Sequence, residues 1–420
     1  MKKLLLIIVV LALIAGGVAL YLKSTTPSQS RGVAFPLGAR EHEMLSHVPA
    51  SAEAFALVPT AAALTAKLRA NPITRDVVDE WSSKQKLPEP WMIGGADLLA
   101  WRTEGRTRYF LRLDPLRALL VRMYIMIAGD IGDTVVINAP AEAAIGADEL
   151  QRIEALAAKL PNGDALVVQR ESGRGAFPPI ARPAVSSVAV KPEIIDIVSR
   201  AASSDPPSPP LAASFPKSAM LAAAFTTPPR LVGDLNRLTG AKIAELLANG
   251  GSIALYDVDV NKLMPRPIGV FGVPAERRAE FTNLVDLTKQ GEALGYEVHT
   301  AERGNQLLLS FDRSLDTYIK DTFEARQLPS ARWTLRVDPG RLAPILSQLS
   351  NNIGLRIASP RIFRGAKDAD RWISALGRAA SIEANDATDG TAEQLSVEIA
   401  AFSSGANAAE PAARPTVAPK

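Results

Sequence analysis

Extended and helical periodicities alternate along this chain. Trp333, Leu335 and Val337 fall on one side of an extended segment, with Arg332, Thr334 and Arg336 on the other. Leu307, Leu309 and Phe311 repeat the pattern, as do Leu395, Val397 and Ile399. Alternation of this kind predicts strands in sheets buried on one face, and such sheets are usually antiparallel. Between the strands the period changes to that of a helix. Asp148 and Gln151 form a capping box ahead of Leu150, Ile153, Leu156, Ala157 and Leu160, and Pro161-Asn162-Gly163 stops the run. A second helix begins at Pro274 and should bury Phe281, Leu284 and Val285; a third carries Leu342, Ile345, Leu346 and Leu349. The apolar stretch 116–128, broken by Arg117 and Arg122, is too short to span a bilayer and is expected as a buried helix. The predicted fold class is α+β, with largely antiparallel sheets backed by amphipathic helices.

The first apolar run differs in kind. Residues 4–22 carry no charge, follow Met1-Lys2-Lys3 and end at Lys23. Nineteen residues at about 1.5 Å each match the hydrocarbon core of a membrane. Basic charge is heavier before the run than after it, which predicts one membrane-spanning helix with the body outside the cytoplasm, on the periplasmic or extracellular side. A cleaved signal peptide competes: Gly17-Val18-Ala19 has small residues at cleavage spacing, and residues 4–15 would form its apolar region. Leu20, Tyr21 and Leu22 prolong the run where a mature N-terminus is usually polar, which favours the anchor. Both readings export the rest.

Proline and glycine punctuate the remainder of the chain. The expected organisation is an anchor at 1–23, a juxtamembrane linker at 24–46, a first α+β lobe at 47–202, a Pro/Ser-rich linker at 203–210, a second lobe at 211–402 and a disordered Ala/Pro-rich tail at 403–420. Four prolines in 203–210 forbid a helix or a central strand there. About 360 residues of body agree with two domains.

Internal repetition supports two related lobes. A proline, a short polar–Ala opening, a strand and a second proline recur three times, at Pro49-Ala50-Ser51-Ala52, at Pro216-Lys217-Ser218-Ala219 and at Pro329-Ser330-Ala331. Phe110-Leu111-Arg112-Leu113-Asp114-Pro115 and Gly269-Val270-Phe271-Gly272-Val273-Pro274 each close a strand with a proline that opens a helix. A third pair matches Ser187-Val188-Ala189-Val190 with Leu308-Leu309-Ser310-Phe311. An apolar N-terminal run followed by Val48-Pro49-Ala50-Ser51-Ala52 and strand–Pro–helix units resembles a broad class of bacterial envelope proteins of unassigned function, whose lobes open on Pro-Ala-Asp-Ala-like strands. Ser51 and Lys217 stand where that class usually has an acid. The resemblance implies a location and a fold class, and it carries no activity and no site residue.

Composition narrows the chemistry. There is no cysteine, so thiolate catalysis, disulfides and Cys-ligated metals are excluded. A net charge of +3, from 47 basic and 44 acidic side chains, gives no global field to draw the chain onto nucleic acid. Only three histidines exist. His42 and His47 are five apart, whereas a zinc-protease helix needs four. His299 has no second ligand near it in sequence. Asp257-Val258-Asp259-Val260-Asn261 imitates a calcium loop, but Lys262 replaces the required glycine and Ile268 the bidentate acid, so a strand with its acids facing water is expected. Ser83–Lys86 and Ser214–Lys217 match the spacing of Ser–Lys hydrolases without the companion Lys-Thr-Gly. No phosphate-binding glycine loop and no nucleophile elbow occur. No cofactor or metal is expected.

One surface feature remains. Arg102, Arg106, Arg108 and Arg112 share one parity on a hairpin whose core side should carry Tyr109, Leu111 and Leu113. Arg106, Arg108 and Arg112 could meet anionic lipid head groups or an acidic envelope partner; the alternative is a solvated strand face paired locally with Glu104. With no convergent catalytic set, a non-enzymatic binding or scaffolding role in the cell envelope is the leading expectation. A carboxylate-based hydrolase and a carrier of an apolar ligand are the alternatives.

Overall fold

The computed structural model describes residues 24, 31–85, 88–128, 134–138, 145–170, 183–226, 250–260, 265–289, 297–350 and 373–402. The run 4–22 and the tail 403–420 lie outside the described residues. Among those described, no helix is long and apolar enough to cross a membrane.

The strands are β1 (Ala54–Val58), β2 (Asp97–Thr103), β3 (Arg106–Arg112), β4 (Val135–Ile137), β5 (Ala165–Gln169), β6 (Ala184–Val190), β7 (Ile194–Ala202), β8 (Leu211–Pro216) and β9 (Leu221–Phe225). They continue with β10 (Gly251–Asp259), β11 (Arg266–Pro274), β12 (His299–Arg303), β13 (Gln306–Ser310), β14 (Phe323–Leu328), β15 (Trp333–Val337), β16 (Ala379–Thr388) and β17 (Ala392–Ala401). The helices include α1 (Ala39–Leu45), α2 (Ala61–Ala70), α3 (Arg75–Gln85), α4 (Pro90–Ile93), α5 (Pro115–Ala128), α6 (Ala147–Ala157), α7 (Arg278–Lys289), α8 (Ser314–Lys320) and α9 (Pro339–Ser350).

Among the described residues, fifteen strands form one sheet in the order β12-β13-β11-β10-β9-β15-β16-β17-β7-β6-β5-β1-β2-β3-β4, and β8 and β14 form a separate ribbon. The architecture is mixed α+β and predominantly antiparallel; β3 and β4 pair in parallel. The order β3-β2-β1-β5-β6-β7 in one half is mirrored by β11-β10-β9-β15-β16-β17 in the other. The halves meet where β7 pairs with β17, from Ala392↔Ala202 to Ala400↔Ile194. Backbone hydrogen bonds therefore run through the middle of the protein without a break.

The outer strands of each half are covered on both sides, whereas β17 keeps its one-sided alternation, with Leu395 and Val397 buried and Glu398 exposed. In the first half, Phe55, Leu57, Leu99, Trp101, Phe110, Leu166 and Val168 pack with α1 and α6 on one face. Tyr109, Leu111 and Val135 pack with residues of α2, α4 and α5 on the other. In the second half, Ala222, Ala224, Ala254 and Leu308 lie with residues of the β8 ribbon and α8, while Phe225, Leu307, Leu309 and Val273 lie with Phe281 and Val285 of α7. The second face is built largely from small or hydroxylated side chains, including buried Thr334, Ser186 and Ser199. Such residues bury backbone closely without reading as hydrophobic.

Two segments expected as linkers are tied to the body where they are described. Val33, Met44 and Leu45 are buried in the first-half core, and α1 carries the last two. In 203–210, Ser203 donates its amide to Thr391 and Ser208 to Thr388, while Asp205 accepts from Arg332 at 2.8 Å. The helix expected from Asp148 begins one residue earlier at Ala147, with Gly146 rather than Asp148 at the cap position.

Candidate functional site

The chain turns after β1 into α2, and α3 and α4 come before β2 returns to the sheet. Three short helices thus lie over one face of β2 and β3, and α5, which connects β3 to β4, packs Ala118 and Val121 on the same face. Arg117 of α5 holds this layer together. It is buried, donates to the Trp91 carbonyl at 2.7 Å and pairs with Asp114 at 3.1 Å. Gly94, with φ of +55°, sits directly beneath its guanidinium, where any Cβ would collide.

Between these helices and the sheet is a cavity of about 630 Å³. Ala61 and Leu68 of α2, Val78 of α3, Ile93 of α4, Leu98 of β2, Leu111 of β3 and Val135 of β4 supply its apolar walls. Tyr109 and Tyr124 add two phenols. Burial pushes the Tyr109 hydroxyl up to about 12, so it is a neutral hydrogen-bonding group at neutral pH. Polar groups gather toward the solvent: Arg69 and Asp79 pair at 2.7 Å, and Glu89 is exposed. A cavity of a few hundred cubic ångströms with apolar walls and few polar groups is the usual form of a small-molecule site. A second cavity, of about 430 Å³, lies between α6 and the opposite face. Its Arg170 is engaged by Glu149 and by the Ala50 and Ala52 carbonyls.

The arginine row divides. Arg102 faces Thr107 in the β2–β3 register, which puts it on the opposite side from Arg106, Arg108 and Arg112. Its acidic neighbour is Glu53, at 3.9 Å. Arg112 is paired with Glu43 of α1. Arg106 and Arg108 are exposed at the tip of the hairpin and make no ion pair among the described residues. The three residues singled out by sequence thus include two free cations and one fixed by a helix.

The histidines do not converge. His42 meets Glu154 of α6 at 2.7 Å, whereas His47 stacks on Phe110 at 4.1 Å, and burial lowers its pKa. His299 neighbours Glu297 at 3.3 Å. Asp257 and Asp259 lie on β10, and Ser214 lies on β8. The side chains of Ser83 and Lys86 lie outside the described residues. Among the described residues no group of His, Asp and Glu could hold a metal ion.

Buried acids are matched by cations: Asp97 by Arg31 and Arg40, and Asp164 by Lys67. Arg332 binds Asp386 at 2.7 Å and also binds Glu393, and both acids are almost fully buried. Burial alone would lower the Arg332 pKa, but its two carboxylate partners outweigh that and hold it above the ordinary value. Arg326 makes a two-pronged contact with Glu383, at 2.6 and 2.7 Å, and also holds Glu324. These knots clamp the strands and take no part in either cavity.

Sequence reasoning missed the first cavity because its walls come from seven elements spread over residues 61–135. The one local signal was the set of helix breakers Pro88, Pro90, Gly94 and Gly95, which limits any helix there to about one turn. Compared with known protein families, curated proteins and solved structures, the chain matches none.

Proposed function

We propose that this chain is a membrane-tethered extracytoplasmic binding protein, without a catalytic role, whose ligand is an apolar small molecule held in the cavity between α2–α5 and the sheet. The observation that carries the reading is the cavity's chemistry: apolar walls, two phenols and charges toward solvent. Its volume falls within the roughly 300–1,000 Å³ typical of ligand sites. Hydrolysis by paired carboxylates has weaker support, since the buried acids Asp97, Asp164, Asp386 and Glu393 are each held by a cation. The tether is the run 4–22, with the body outside the cytoplasm. The matching strand orders favour two related lobes, 47–202 and 211–402, with the site in the first.

The test uses the full chain in lipid nanodiscs, titrated with a fluorescent acyl probe against empty nanodiscs. Saturable binding is expected. Thr65→Phe, which fills the cavity beside Leu68, should weaken it by at least about tenfold, or ~1.4 kcal/mol. Binding that neither saturates nor responds to this substitution would overturn the reading.

A further inference from the structure

Helix α5 has an apolar face that points away from the protein. Ala118 and Val121 are buried beneath it. Leu119, Met123, Met126 and Ile127 are 56%, 46%, 76% and 80% exposed, and Leu116 is 38% exposed. At about 100° per residue these five fall within roughly 100° of arc, so they form one continuous stripe. The helix expected to be buried is buried on one side only. It contains no acidic residue, and Arg122 flanks the stripe, exposed and without an ion pair among the described residues. A stripe of this size on a soluble surface marks a contact site.

Two further observations indicate what covers it. The first is where the chain enters the body. Arg31 binds Asp97 at 3.0 Å, and Asp97 lies opposite Arg112, three residues before α5 begins. The apolar run ends at residue 22, and nine residues reach at most about 30 Å. The chain therefore enters the body at the end of the sheet from which α5 starts, within about 30 Å of the end of the proposed membrane helix. The second is charge. Helix α5 holds no acid, and Arg122 borders the stripe beside Met126. An acid-free apolar stripe bordered by a cation suits the boundary between acyl chains and anionic head groups.

We propose that α5 lies in the surface of the bilayer, with Leu119, Met123, Met126 and Ile127 in the acyl boundary and Arg122 among anionic head groups. This rests on the proposed membrane tether. Because Tyr124 of the same helix lines the cavity, the contact places the ligand site beside the lipid.

The chain has no cysteine, so single labels can be placed cleanly. Leu119→Cys, Met126→Cys and, as a distant exposed control, Asp257→Cys are labelled with an environment-sensitive fluorophore in the full chain. The proteins are reconstituted in phosphatidylcholine–phosphatidylglycerol vesicles with and without nitroxide-bearing lipids. Resistance to alkaline carbonate extraction is read separately and reports on the tether alone. Quenching by lipid nitroxide at 119 and 126 and none at 257 is the expected result, and it should be lost in M126C carrying Ile127→Glu. Extraction-resistant protein with no quenching at 119 or 126 overturns the contact and leaves the tether standing. Quenching in protein that carbonate removes supports the contact and overturns the tether. A blue shift at 119 and 126 without vesicles that rises with protein concentration would make the occupant a second copy of the chain and overturn the bilayer proposal.

Discussion

Replacing Arg332 with Met tests whether the buried acids of the second half serve the fold. Its side chain is 14% exposed, and it holds Asp386 and Glu393, which are 3% and 6% exposed, together with Asp205, which is 53% exposed. The contact with Asp205 faces water and contributes about 0–1 kcal/mol. The other two acids are almost wholly buried, and removing the cationic partner of a buried charge costs about 3–5 kcal/mol. A loss of that size is a large share of the roughly 5–15 kcal/mol that holds a protein folded. In urea unfolding of the full chain, with a slope near 3 kcal/mol per molar, the midpoint should fall by about 1–1.7 M. Adding Asp386→Asn and Glu393→Gln should recover most of the loss, because no charge is then stranded. A midpoint shift no larger than that of Arg313→Met, a side chain 84% exposed, would refute the argument.

Two more perturbations have outcomes set by the described geometry. Asp389 accepts from the Thr391 hydroxyl, from Arg200, from the Thr391 amide and from Lys159, and these hold its carboxyl well below the usual range. A folded-state pKa below the unfolded value gives stability that is present above about pH 4 and lost as pH falls. Asp389→Asn should therefore lower stability at neutral pH and flatten its decline under acid; an unchanged acid limb in equilibrium unfolding would contradict this. Val397 pairs with Ile197 on one side and Ala384 on the other. Val397→Pro removes a ladder donor from a central strand and should cost more than about 2 kcal/mol. Single-tryptophan variants keeping Trp101 or Trp333 should report coincident unfolding in the native background and separate transitions with the proline; coincidence in both would show that the halves are coupled elsewhere.

The local elements were legible in the sequence because each depends on a few consecutive residues. The Pro-opened units land on β1, β9 and β15, and the strand–Pro–helix units end on β3 and β11. Their places correspond in the first case for β1 and β9 and in the second for both strands. The third matched pair does not hold the same positions: β6 has β16, not β13, as its counterpart in the sheet order. Pairings between distant segments left no local trace, and β7 with β17 is the clearest example. The second covered face was hidden because Ala222, Ala224 and Thr334 are buried without being large or apolar enough to set a period. Arg102 shares the parity of Arg106, Arg108 and Arg112 yet takes the other side, because across a turn the hairpin register, not the residue number, decides which face a side chain takes.

The seam between β7 and β17 also sets an order of assembly. β7 is made about halfway along the chain, whereas its partner is the last described strand. Until β17 emerges, the first half presents nine residues of unpaired backbone, and β16 has only one of its two neighbours. An open edge of that length is a template for pairing between chains. A ribosome or an export channel delivering this protein N-terminus first must therefore keep β7 apart from other copies for the time needed to make roughly two hundred further residues. Loss of the final strand through premature termination would leave both edges open permanently, so such products should aggregate even though every earlier residue is intact.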